Sequence, residues 1–296
     1  MIQVVAITGA GSGLGRALAL CYAARGYAVA IAGRNVDKLL DTKAQLDLQN
    51  AKVFSWRCDV TDDDSVRSFV EATVHELGRI DVFINNAGYA HAGHIVDTPI
   101  RDWQQLFDTN LFGAVRCCRA VIPLMRQQKA GHLVNVASFA GIANAPTMAA
   151  YNASKAALIS LSETLRMELH DDGIGVTVAC PSFFDTDLHL SLQTPNPEMK
   201  LVVEKLIKRS GFTAEQIADD IIRAVERKQF LVLSQPQSKR LYWLKRISPR
   251  LYVRAMLNYL RQRNAKAAQY RAAQQAMLQS GQQPTQQSTQ QKESGA

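Results

Sequence analysis

Seven short apolar runs, separated by longer amphipathic stretches, constrain the fold of this chain more than any other feature. The runs fall at 3–8 (QVVAIT), 27–32 (YAVAIA), 51–58, 80–85 (IDVFIN), 132–137 (HLVNVA), 174–180 (IGVTVAC) and 230–234 (FLVLS). Most are rich in Val and Ile and too short for helices, so they read as strands buried on both faces. Helix-like stretches lie near 14–25, 35–49, 63–77, 101–128, 151–170 and 213–228, the last opening with the capping-box pair Thr213 and Gln216. Strand and helix alternating six times predicts an α/β fold: a doubly wound, mostly parallel sheet with helices on both faces.

Two regions depart from the alternation. Residues 185–212 are long for a strand-to-helix connection and are expected to form a mobile lid. Residues 279–296 (QSGQQPTQQSTQQKESGA) are rich in Gln, Ser and Thr, a composition that predicts disorder. Charge marks a third boundary. Residues 1–238 carry 23 Lys and Arg against 25 Asp and Glu, a net of −2, whereas residues 239–296 carry 11 against one, a net of +10. The expected organisation is therefore one catalytic domain over 1–238, a basic amphipathic helical extension over 239–278, and the tail.

The extension poses its own question. Val253, Met256, Leu257 and Leu260 fall at helical spacing, and Arg250, Arg254 and Arg261 share another face. Just upstream, Leu241, Tyr242, Trp243 and Leu244 precede Lys245 and Arg246. The pattern fits either a helix packed on protein or peripheral contact of 239–271 with a membrane surface. No nucleic-acid motif accompanies the bases, so no nucleic-acid partner is expected.

Five cysteines with no CxxC pair argue against a disulfide framework and a zinc ribbon, and fit a reducing compartment. An apolar run begins at Ile2 without a basic leader, and no run reaches the length of a membrane span, so a cytoplasmic location is expected. His91 and His94 lack a third ligand at metal spacing, and no metal site is predicted. Cys117 and Cys118 fall inside a helix and read as packing.

The chemistry begins at the turn after the first strand, Thr8 to Gly15 (TGAGSGLG). The G-x-G-x-x-G fingerprint fails here, because Leu14 stands at its last position. Gly9, Gly13 and Gly15 remain, flanked by Ser12 and Leu14. Glycines at this point allow a tight turn and bring backbone close to a pyrophosphate on the N-terminus of the next helix. The second strand ends Gly33-Arg34-Asn35, where an NAD site would carry a carboxylate. The arginine fork suits the 2′-phosphate of NADP, so NADP (NADPH) is expected rather than NAD.

Taken with Asn85-Asn86-Ala87-Gly88, Ser138 and Tyr151-x-x-x-Lys155 in that order, the turn resembles the short-chain dehydrogenase/reductase family over about residues 1–234. The resemblance implies a seven-stranded Rossmann domain holding cofactor and substrate together. It implies that Asp59 and Val60 flank the adenine and that Asn86, Ala87 and Gly88 line the cofactor. Pro181, Phe184 and Thr186 would lie beside the nicotinamide, although Ser182 replaces the family's usual glycine and leaves this loop's placement open. Tyr151 would be the general acid and base, with its pKa lowered by the Lys155 cation and the charged nicotinamide. Lys155 would hold the ribose, Ser138 the substrate oxygen, and Asn110 a water linking Lys155 to solvent. A homodimer or homotetramer is implied too.

Candidate pocket residues Phe139, Ile142, Met148, Phe183, Phe184 and Leu188 are mostly apolar, pointing to a lipophilic carbonyl or secondary alcohol. The competing reading is a non-catalytic dinucleotide sensor on the same fold. It does not need the set Asn110, Ser138, Tyr151 and Lys155.

Overall fold

A computed structural model describes residues 2–185, 192–194, 197–262 and 265. It divides into two units, one of Met1–Lys239 and a second that begins at Arg240. The expected lid residues Thr186 and Leu188, and the tail 279–296, lie outside the described residues.

The first unit is built on seven parallel strands in the order β3-β2-β1-β4-β5-β6-β7. They are β1 (Val4–Thr8), β2 (Ala28–Gly33), β3 (Val53–Arg57), β4 (Val82–Asn85), β5 (Gly131–Val136), β6 (Ile174–Ala179) and β7 (Leu231–Val232). Helices α1 (Gly13–Ala23), α2 (Val36–Asp47), α3 (Asp63–Leu77), α4 (Ile100–Phe107), α5 (Gly113–Gln128), α6 (Ala140–Ala143) and α7 (Ala149–Glu168) follow in chain order. The chain then continues through α8 (Pro197–Lys208), α9 (Ala214–Glu226) and α10 (Pro236–Ile247). β1 pairs with β2 on one side and β4 on the other. The chain therefore reverses its winding direction between β3 and β4. A crevice opens at that point, above the carboxyl ends of the strands.

The strand alternation sets the two faces. Val5, Ile7, Val29, Ile31, Val82 and Ile84 face α1 and α9, together with the fully buried Leu18, Tyr22 and Ile221. Ala6, Ala30, Ala32 and Phe83 face α3, α5 and α7, with Phe69, Val121 and Leu165. Each large side chain so buried contributes roughly 1.5–3 kcal/mol. The capping box at α9 forms as expected: Thr213 Oγ1 accepts from Gln216 N, and Thr213 N donates to Gln216 Oε1.

The expected helix over 101–128 is not continuous. A π-helical turn, Asp108–Phe112, separates α4 from α5. Its widened backbone lets the Asn110 side chain reach the loop after β4. Asn110 Oδ1 accepts from Tyr89 N at 3.0 Å, and its Nδ2 donates to Tyr89 O at 3.0 Å. The expected lid region also carries structure. Gln193 bonds the backbone of Ala90 and Ala92, and α8 buries Val203 and Ile207 in a cluster with Tyr151, Ala90, Ala92 and Leu192.

Candidate active site

The glycine turn is held from three sides. Gly9 adopts φ +67°, a left-handed angle that a side chain strains. Asn86 Nδ2 donates to the carbonyls of Thr8 and Gly9 at 3.0 and 3.1 Å. Thr8 Oγ1 accepts from the backbone N–H groups of Asn86 and Ala87, both at 3.1 Å. The glycine turn and NNAG are thus one hydrogen-bonded unit across β1 and β4. On the far side, Arg16 donates to Gly11 O at 2.7 Å and to Thr42 Oγ1 at 3.0 Å, while Thr42 Oγ1 donates to Ala10 O. No motif in the sequence marks Arg16 or Thr42 for this work, because the bond that joins them links two different helices.

A cleft of about 380 Å³ runs from this turn across the switch point. Gly9, Ser12, Gly13, Leu14, Arg34 and Val60 line one end; Asn86, Ala87 and Gly88 line its middle. Ser138, Tyr151, Lys155, Pro181 and Phe184 line the other end. Ser12, in extended backbone, caps α1 without any side-chain bond, so no side chain competes for the first-turn N–H groups. Gly15 does not border the cleft; it faces the Gly9 carbonyl and Asn86. Asp59 does not border it either. Burial raises its pKa, but its carboxylate accepts from Thr61 N and Thr61 Oγ1, and those bonds together with the nearby Arg34 and Arg57 hold the pKa below the usual range. Cys58 and Lys38, not singled out from the sequence, do line the cleft.

At the far end, α7 presents Tyr151 and Lys155 one turn apart, both buried. Lys155 Nζ lies 5.9 Å from the Tyr151 ring centre and donates to Val136 O at 2.9 Å. Burial lowers its pKa to about 8. Burial pushes the Tyr151 hydroxyl up, and a hydrogen bond with Ser138 acts against that. The net direction is upward, because loss of water around the phenol exceeds the lowering by Ser138. Ser138 Oγ also accepts from Ala140 N at 3.1 Å, which fixes the serine at the start of α6. Asn110 lies behind Gly88 and not in the cleft, its amide engaged with Tyr89 and Ser154 Oγ.

Ser182 replaces the family's glycine without backbone strain, since its φ is not positive. Gln235 holds the loop instead: its Oε1 accepts from Ser182 N at 3.1 Å, and its Nε2 donates to Phe183 O at 3.2 Å. Among the described residues, no group of three His, Cys, Asp or Glu is placed to hold a metal ion.

Comparison with known proteins agrees with this geometry. Residues 3–196 match the short chain dehydrogenase family. The chain is 32% identical over 255 residues to the probable oxidoreductase EphD of Mycobacterium tuberculosis, covering 83% of this chain but only 43% of that protein. It is 32% identical over 265 residues to dehydrogenase/reductase SDR family member 7B of Bos taurus, covering 87% of this chain and 81% of that protein. A short-chain dehydrogenase/reductase from Burkholderia phymatum, solved in complex with NAD, superposes with a TM-score of 0.80 at 29% identity, over 84% of this chain and 95% of that one. Levodione reductase superposes at 0.73 with 27% identity, over 80% and 98%. With the family motifs in one cleft, this chain belongs to the short chain dehydrogenase family.

Proposed function

We propose that this chain transfers a hydride between NADP(H) and a lipophilic carbonyl or secondary alcohol. One observation carries the reading: Ser138, Tyr151 and Lys155 line the same cleft as the glycine turn and Asn86. The residues fit a dinucleotide. Gly9, Ser12 and Gly13 offer backbone to the pyrophosphate, Val60 borders the adenine end, and Pro181 and Phe184 border the nicotinamide end. Arg34 and Lys38 supply two cations at the end of β2, and no acid stands at Gly33. That pair suits a 2′-phosphate. Once bound, the cofactor supplies the hydride.

The protein's part is to hold the carbonyl and move one proton. Ser138 donates to the carbonyl oxygen and stabilises its developing charge. Tyr151, kept protonated by burial, gives its proton to that oxygen in the reductive direction. Lys155 holds a positive charge below the tyrosine and returns a proton to it. Two structural neighbours are named for opposite directions on different substrates, a levodione reductase and a xylitol dehydrogenase. Val136, Pro181 and Phe184, apolar residues that line the cleft with Tyr151, support a lipophilic substrate. Assembly as a homodimer or homotetramer belongs to the same reading, supported by exposed Ile100, Phe112 and Met167 on and beside α4, α5 and α7.

The test is turnover of lipophilic ketones with NADPH and NADH in parallel. Tyr151→Phe should lower kcat by at least about 10²-fold with NADPH affinity little changed. Near wild-type turnover in that variant would sink the proton-donor role.

A further inference from the structure

The second unit carries features that hydride transfer does not use. α10 ends at Ile247, Ser248 intervenes, and residues 249–262 continue as a second helix with Pro249 at its first position. Large apolar side chains on these helices face solvent. Trp243 is 56% exposed, Ile247 78%, Leu251 56%, Val253 53% and Leu257 47%. Four of them form two pairs. Trp243 and Ile247 stand at i and i+4, as do Val253 and Leu257, with the half-buried Met256 and Leu260 completing the latter stripe.

Charge borders the apolar positions. On the second helix Arg250, Arg254 and Arg261 lie directly beside the Val253–Leu257 stripe rather than opposite it. On α10, Arg240 and Arg246 flank Trp243 and Ile247. Arg246 leans on the Tyr242 hydroxyl at 3.4 Å, and Lys245 lies over the Tyr252 ring at 5.7 Å. No acidic residue occurs anywhere in residues 240–262. A helix packed on protein would bury its stripe and would ordinarily pair some of its arginines. Here the stripe is exposed, and bases sit at its edge, where long side chains can keep their charge in water while their stems cover apolar surface. Tryptophan and tyrosine beside bases suit the boundary between headgroups and acyl chains.

We infer that residues 240–262 form a peripheral membrane-binding surface selective for anionic lipid. The apolar positions enter the headgroup region, and the arginines hold lipid phosphate and carboxylate groups. No described helix is long and apolar enough to cross a membrane, so the contact is interfacial. A membrane-bound enzyme would meet a lipophilic substrate where it partitions, but the inference stands on the surface itself and does not need the proposed activity.

The experiment uses the full chain and sedimentation with vesicles of phosphatidylcholine alone or mixed with phosphatidylserine. The full chain should partition at least about tenfold more strongly onto the mixed vesicles, since each base near an anionic surface contributes roughly fivefold. Added salt should weaken the binding. Arg250→Gln with Arg254→Gln and Arg261→Gln should lower the phosphatidylserine preference at least about fivefold, Arg240 and Arg246 remaining. Trp243→Ser with Ile247→Ser should lower binding to mixed vesicles at least about tenfold while the melting temperature holds. Equal binding to both vesicle types, or no binding to either, would overturn the inference. So would a full chain whose self-association is lost in the Trp243/Ile247 variant while vesicle binding is unchanged, because the face would then belong to a second copy.

Discussion

A methyl group on Gly15 would overlap the Gly9 carbonyl oxygen and Asn86 Nδ2. The turn could accept it only by breaking the clasp between Asn86 and the Thr8 and Gly9 carbonyls. Gly15→Ala is therefore expected to cost about 1–3 kcal/mol, as overpacking does, and to weaken dinucleotide binding by displacing Gly9. A melting curve and a cofactor titration check both; an unchanged titration would mean that Gly9 does not set the pyrophosphate position. Cofactor choice is argued at the same scale. Arg34→Leu with Lys38→Leu should raise KM for NADPH at least about tenfold and leave NADH little changed, since charge-assisted contacts contribute about 1.5–3 kcal/mol. Gly33→Asp with Arg34→Leu should go further and turn the enzyme toward NADH by adding a repulsive charge. A wild type that uses NADH as well as NADPH would contradict the assignment.

Among the elements, the edge where β5 meets β6 holds a group that titrates with the fold. His132 is buried, with Nε2 2.8 Å from Thr177 Oγ1. Thr177 spends its own proton on Gln229 O at 2.8 Å, so His132 Nε2 is the donor in their contact. Burial, helped by Lys228, lowers its pKa to about 4. An unfolded histidine titrates near ~6.5. Between these values the unfolded chain binds the extra proton, so stability is full above ~6.5 and falls as pH drops through the window. The loss should reach about 2 kcal/mol by pH 5. Urea midpoints at pH 7 and pH 5 measure it, and His132→Gln should flatten the difference; an equal slope in both proteins would remove His132 as the cause. Gly175 opposes the ring across the β5–β6 ladder, and a Cβ there would overlap His132 Nδ1. The reason for a glycine inside β6 is thus a side chain 43 residues earlier in the chain.

At the scale of the molecule, the three apolar clusters among the described residues draw on none beyond Val232. The first unit thus contains its own core. A chain ending at Lys239 should unfold in one cooperative transition and retain cofactor binding, with loss confined to vesicle binding. Calorimetry and a titration on that shorter chain decide it; a broad, non-cooperative melt would show that the second unit completes the fold.

Periodicity and spacing were enough to order the elements, because strand runs and helix faces depend on neighbours one turn or one pleat away. The glycine turn and the Tyr151–Lys155 step were legible for the same reason, since each lies within one local segment. The π turn at Asn110 was not legible, because what holds it open is Tyr89, on a different loop. The Gln235 grip on Ser182 and the Arg16–Thr42 brace were equally out of reach, each joining elements far apart in the chain. Tyr151 gives the sharpest contrast. Its identity and its lysine stand in the sequence, but its burial among Ala90, Ala92, Leu192, Val203 and Ile207, and the upward push that burial gives its hydroxyl, exist only in the folded chain.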